Sequence, residues 1–145
     1  LRIDTAPSTG EGLMREWLSL LVDSIDYQDG ATYGFLVNPR TGMPMQFDRF
    51  YPPGVAFEFH GPQHFGPTEK FTAKESAEQQ ARDLMKLGIC VTRGITPVVV
   101  VADDLSLEGM RRKVGQLLPL RHLTENELLL DYLESRSTQY RQSPR

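Results

Sequence analysis

The sequence predicts an α/β fold: a mixed β-sheet, made of an antiparallel meander plus one strand added across a helix, with helices on its flanks. Three observations predict it. Apolar residues at helical spacing follow a capping signal near the start of the chain. Between residues 33 and 60, three short strand-like runs alternate with turn chemistry. An apolar run of strand length, 94–101, then follows a helical segment.

Each element has its own signal. Ser8-Thr9-Gly10-Glu11 is a capping-box pattern, with Ser8 as N-cap and Glu11 at N3. Leu13, Met14, Trp17, Leu18 and Leu21 follow at helical spacing, so residues 9–23 form an amphipathic helix. Asp29-Gly30 signals a turn, and Tyr33–Val37 reads as a strand. Asn38-Pro39-Arg40-Thr41-Gly42 is turn chemistry, Met45–Tyr51 a second strand, and Pro52-Pro53-Gly54 a tight reversal. Val55–His60 is a third strand, with Phe57 and Phe59 on one side. A second helix spans about Ala73–Leu87 and stops at Gly88. The run Gly94–Val101 reads as a buried strand pairing parallel to an earlier one, with Pro97 at its start. Ser106 caps a third helix that turns Leu107, Met110, Val114 and Leu117 inward. Thr124-Glu125-Asn126-Glu127 opens a leucine-rich fourth, and the polar residues 136–145 form a frayed tail. The expected division is a core of residues 8–118 and a C-terminal helical extension and tail of 119–145.

Composition narrows the function classes. The 145 residues are 39% hydrophobic and 24% charged, a globular rather than a disordered composition. A net charge of −3 argues against a protein that coats nucleic acid through general basicity. A single cysteine, Cys90, excludes an internal disulfide framework and a multi-cysteine zinc site. No apolar run approaches the roughly 20 residues of a membrane span, and no signal-peptide pattern opens the chain, so a cytoplasmic location is expected. The first residue is Leu1 rather than Met, as in a piece of a longer protein with further domains. Charge is uneven: residues 1–108 carry 9 basic and 15 acidic side chains, residues 109–145 carry 7 and 4. Arg111, Arg112 and Lys113 form the tight basic cluster, either a solvated helix face or a phosphate contact.

The chemistry centres on Asp48 and Glu58. A reversal centred on Pro53 puts these two residues directly opposite each other in an antiparallel pair. Their Cβ atoms would then lie about 5 Å apart on one face. Two carboxylates so placed repel unless a positive charge lies between them, and a hard divalent cation such as Mg²⁺ is the natural filler. The plain alternative is two solvent-facing charges. The surroundings argue against it: Glu58 sits between Phe57 and Phe59, His60 shares its face, and Gln63 and His64 follow. On the second helix Gln80, Asp83 and Lys86 recur every three residues, and Ala77, Ala81 and Leu84 line another side. The polar set is either an exposed stripe or, through Gln80, a means of positioning substrate or water. Glu11 is either a helix cap or a third acid. Cys90 reads as a small buried hydrophobe.

These residues carry a family pattern. Phe47-Asp48, then Phe57-Glu58-Phe59-His60-Gly61-Pro62-Gln63-His64-Phe65, resembles the PD-(D/E)xK nuclease superfamily, the restriction-endonuclease-like fold. More narrowly it resembles the branch near the very-short-patch repair endonucleases. Gln80-x-x-Asp83-x-x-Lys86, Cys90 and Gly94-Ile95 are similar to that branch's next helix and strand. Thr9-Gly10-Glu11 resembles the start of its first helix. The resemblance covers about residues 8–115. It implies a metal-dependent endonuclease hydrolysing phosphodiester bonds of DNA. Asp48 and Glu58 would hold Mg²⁺, or Mn²⁺ in its place, with the backbone carbonyl of Phe59 as a third oxygen. Glu11 would complete the acidic cluster, and Gln63, His64 and Gln80 would orient water or phosphate. His60 stands where the superfamily has lysine, and Lys86 is a candidate relocated lysine. Lys70, Lys74, Arg111, Arg112 and Lys113, with Arg121, are the candidate DNA contacts. The competing expectations are a nuclease-like binding or interaction module without catalysis, and a nuclease acting on RNA.

Overall fold

Ser8 begins the first helix as its pattern predicts: its Oγ accepts from the backbone N–H of Glu11 at 3.1 Å. The architecture described is that of a computed structural model, which describes residues 8–62, 66–68, 71–123 and 128–143. The chain divides into two units, Tyr27–Val99 and a second made of Leu1–Asp26 with Val100–Arg145.

The second of these is helical. Helix α1 (Thr9–Leu21) packs on the helices later called α3 (Leu107–Val114) and α4 (Leu128–Gln142). Leu13, Met14, Trp17, Leu18 and Leu21 of α1 are all buried, as their spacing predicts. The Trp17 indole N–H donates to the buried Ser137 hydroxyl at 2.8 Å, which ties α1 to α4. Ser106 caps α3 by accepting from the Gly109 N–H at 3.0 Å. Two expectations are corrected here. Residues 136–142 are helical rather than frayed, because their polar side chains have partners: Ser137 holds Trp17, and Arg141 donates to the Leu105 carbonyl. Leu117 is 44% exposed rather than inward, because α3 ends at Gly115, where φ is 53°, and helical spacing no longer applies beyond it. The expected cap at Thr124–Glu127 lies outside the described residues.

The unit Tyr27–Val99 holds the sheet. Its strands are β1 (Gln28–Asp29), β2 (Thr32–Val37), β3 (Pro44–Gln46), β4 (Arg49–Tyr51), β5 (Val55–Phe59) and β6 (Thr96–Val100), with α2 (Ala73–Arg93) before β6. The four-stranded sheet has the order β1-β4-β5-β6, and β2 and β3 form a separate antiparallel pair. β4 pairs antiparallel with both β1 and β5. The sheet is mixed, so β6 runs parallel to β5. A parallel neighbour needs a long crossover, and α2 supplies it. Pro97 is the second residue of β6, an edge strand, where a missing N–H is tolerated.

The single strand expected over Met45–Tyr51 is two strands, which corrects the simple meander. The chain leaves one ribbon and enters the other at Phe47–Asp48. Gly30, at φ 62°, donates its N–H to the carbonyls of both residues, at 3.0 and 3.3 Å. The second helix does not stop at Gly88. It runs on to Arg93 and ends at Gly94, whose φ of 71° is the left-handed cap conformation, with its N–H on the carbonyls of Cys90 and Val91. The added turn buries Cys90 against Leu36, Met45, Phe47, Ala56 and Ile95. Thr72 and Glu75 form a full capping box at the other end of α2. No helix among the described residues is long and apolar enough to cross a membrane.

Candidate active site

The register of the β4–β5 hairpin follows from its turn. Arg49 faces Phe57, Phe50 faces Ala56 and Tyr51 faces Val55, so the next pair outward is Asp48 with Glu58. Alternation sends Tyr51 and Phe57 to one face, where their rings meet edge to face at 5.8 Å. On that side Arg49 is buried, held by Asp29 at 2.6 and 2.8 Å and stacked over the Tyr27 ring at 3.7 Å. The other face carries Ala56 and Glu58 towards α2.

Asp48 and Glu58 lie close enough for the charge of Asp48 to act on the Glu58 carboxyl. Asp48 Oδ2 accepts from the Phe59 N–H at 2.6 Å, and Glu58 Oε1 accepts from Lys86 Nζ at 2.7 Å. Glu58 is only 9% exposed. Burial first, and then the charge of Asp48, push its carboxyl up to about 8, while Lys86 pulls the other way. Two acids so close cannot both ionise cheaply without a cation, and one ammonium offsets one of the two charges.

Beside this pair, His60 Nε2 lies 3.8 Å from Asp83 Oδ1. Asp83 Oδ1 accepts from Gln79 Nε2 at 3.0 Å, and Gln79 Oε1 accepts from Arg82 at 2.8 Å. Glu58, His60, Asp83, Lys86 and Cys90 border a cavity of about 20 Å³, about the room one water needs. Burial, then the charge of Glu58, push the Cys90 thiol up to about 11, so it is a thiol rather than a thiolate at neutral pH.

The other expected residues fall as follows. Lys86 faces the acids as its place on the helix suggests. Gln80 is exposed, and Gln79 is the glutamine that turns inward. The reason is geometric: a three-residue step falls about 60° short of a full helical turn, so a line drawn from Lys86 through Asp83 has rotated away by Gln80. Gln79, four residues before Asp83, is a residue that i,i+4 spacing would have found. Glu11 lies in the helical unit, at N3 of α1, and its carboxylate pairs with Arg15. Lys74 is exposed in the first turn of α2. Arg111 and Arg112 are exposed in the last turn of α3, and Lys113 lies 3.6 Å from Asp104. Arg121 lies 3.7 Å from Asp23 and donates to the Val22 carbonyl at 3.1 Å. Gln63, His64 and Lys70 lie outside the described residues.

The donor set bears on the implied metal. Among the described residues, no group of three or more His, Cys, Asp or Glu gathers to hold an ion. The pair offers two hard carboxylates at opposed positions of one hairpin. One or two carboxylates, completed by water and substrate phosphate, are the ligands Mg²⁺ ordinarily takes from a protein. The residues present therefore fit a hard divalent cation and not a zinc site. Comparison with family models, with curated proteins and with solved structures gave no match.

Proposed function

We propose that the unit Tyr27–Val99 carries the active site of a metal-dependent endonuclease, of restriction-endonuclease-like fold, that hydrolyses phosphodiester bonds of DNA. The observation that carries the reading is the opposition of Asp48 and Glu58 across a hairpin, with Lys86 on Glu58. A buried Glu58 opposed to a half-buried Asp48 lowers the stability of the empty fold, and acids so perturbed are commoner at functional sites than in structural pairs. Asp48 and Glu58 would hold Mg²⁺ or Mn²⁺. The chemistry such an ion supplies is activation of water and neutralisation of phosphoryl charge.

The chain's own groups divide the remaining work. Lys86 brings a permanent positive charge to the acids, the part played by the lysine of the resembled motif. It reaches the same carboxylate from the neighbouring helix instead of from β5. His60, beside Asp83, is placed to accept or return a proton at its imidazole, whose ordinary pKa lies near 6.5. Gln79 fixes Asp83, and so the carboxylate that faces His60.

The test is cleavage of plasmid and linear DNA with Mg²⁺ or Mn²⁺, alongside an RNA panel. The wild-type chain should cleave DNA, and Asp48→Asn should abolish cleavage with the far-UV circular dichroism spectrum unchanged. Full cleavage by Asp48→Asn contradicts the reading. A second reading has one observation in its favour: Lys86 Nζ already occupies Glu58 Oε1 at 2.7 Å, as in a structural pair. In that case the unit is a nuclease-like binding module, no cation elicits cleavage, and Glu58→Ala leaves nucleic-acid binding unchanged.

A further inference from the structure

Helix α2 carries its amphipathic pattern inside out. With successive side chains about 100° apart around the helix, Ala77, Leu84, Gly88 and Val91 share one stripe, with Leu87 at its margin. An apolar stripe ordinarily faces a core. Here Leu84 is 69% exposed, Val91 75% and Leu87 37%, and Ala77 and Gly88 are exposed as well. The polar residues are the ones that turn inward: Gln79, Asp83 and Lys86 serve the network around Glu58 and His60. Service of that network has turned the apolar stripe outward, where nothing among the described residues covers it.

We propose that a second copy of this chain covers the stripe, through an antiparallel pairing of α2 with α2 about a two-fold axis at Leu84. Three features of the helix fit that occupant. First, the stripe is sterically self-complementary. An axis at Leu84 sets Ala77 opposite Val91, Gln80 opposite Gly88 and Ala81 opposite Leu87, so a smaller side chain meets a larger one each time, and Leu84 packs on its own counterpart. Second, the stripe from Ala77 to Val91 carries no charge, so two copies meet without like-charge repulsion. Third, charge at the ends is complementary on the side of the stripe, because Arg93 of the last turn is directed away over the Phe35 ring. The antiparallel arrangement brings Lys74, exposed in the first turn, to the C-terminal end of the other α2, where the last carbonyls carry partial negative charge. An isologous contact of this kind closes at two copies. One helix pair buries less than a standard interface, so the dimer is a weak one. The pairing does not depend on whether the acid site is catalytic.

The test is sedimentation equilibrium of the full chain from low to hundreds of micromolar, without nucleic acid. Wild type should show a reversible monomer–dimer equilibrium. Leu84→Glu and Leu84→Lys should each be monomeric with unchanged far-UV circular dichroism, because Leu84 is exposed in the fold. An equimolar mixture of the two should recover the dimer, since the axis brings the opposite charges together. Ala77→Cys mixed with Val91→Cys should form a mixed disulfide in excess over either self-linked species. A wild-type monomer at every concentration, as expected if another protein covers the stripe, overturns the proposal. So does a dimer indifferent to Leu84→Glu, a mixture that stays monomeric, or preferential self-linking of Ala77→Cys.

Discussion

Burial and the charge of Asp48 keep Glu58 protonated up to about pH 8, against the pull of Lys86. In the unfolded chain a glutamate titrates near ~4.3. Between those two values the folded state holds more protons than the unfolded state, so stability falls as pH rises. The contribution is full below the unfolded value and is lost as pH climbs through the folded one. Glu58→Gln keeps the neutral shape and removes that loss. The variant should match wild type near pH ~4 and exceed it by on the order of 1–3 kcal/mol above pH ~8. Urea unfolding in chelator across that range measures the difference, and a wild-type chain that gains stability relative to the variant as pH rises contradicts the raised Glu58 carboxyl. Lys86→Met should leave the fold intact and lower the DNA cleavage rate by about 10²–10³-fold, the usual cost of removing one aimed positive charge or donor. A loss under tenfold in single-turnover cleavage would remove Lys86 from the machinery. The Asp48–Glu58 pairing was legible in the sequence because a short Pro-Pro-Gly reversal fixes register by arithmetic. The His60–Asp83 approach was not, because it depends on how α2 lies across the sheet, which no local spacing encodes.

At the scale of elements, α2 separates what spacing can read from what packing decides. Gly88, the expected end of the helix, lies inside it, and Gly94, where it does end, has positive φ, at 71°. A Cβ added at Gly88 meets nothing within 4 Å. Gly88→Ala should therefore stabilise the fold by about 0.5–1 kcal/mol through helix propensity. Gly94→Ala should destabilise it by about 1 kcal/mol, because alanine is strained in the left-handed region. Denaturant midpoints of the two variants should move in opposite directions. Movement in the same direction would place the end of the helix elsewhere. The helix overran Gly88 because the extra turn buries Cys90 in the core, a tertiary gain that outweighs a local stop signal. The break at Phe47–Asp48 was equally hidden. It is made by the N–H of Gly30, a residue far from it in sequence. The caps at Ser8 and Ser106 were legible because a cap is a local hydrogen bond three residues long.

At the scale of the molecule, the α/β composition and the strand added beside β5 across a helix were readable from the order of periodic segments. The gathering of both chain ends into one helical unit was not. It rests on α1 packing against α4 and on Trp17 finding Ser137, 120 residues away. The net charge of −3 leaves DNA affinity to local contacts, with cations such as Lys74, Arg111 and Arg112 exposed and available. All of the proposed chemistry hangs on one claim: that Asp48 and Glu58 together bind a hard divalent cation. Calorimetric titration of Mn²⁺ and Mg²⁺ into the chelator-treated chain tests it most directly, run near pH ~7 in two buffers of different ionisation enthalpy. The expected result is one binding event that releases protons, because the ion displaces the proton Glu58 holds, and that disappears in Asp48→Asn. No heat of binding at millimolar metal, or binding that Asp48→Asn leaves unchanged, would contradict it.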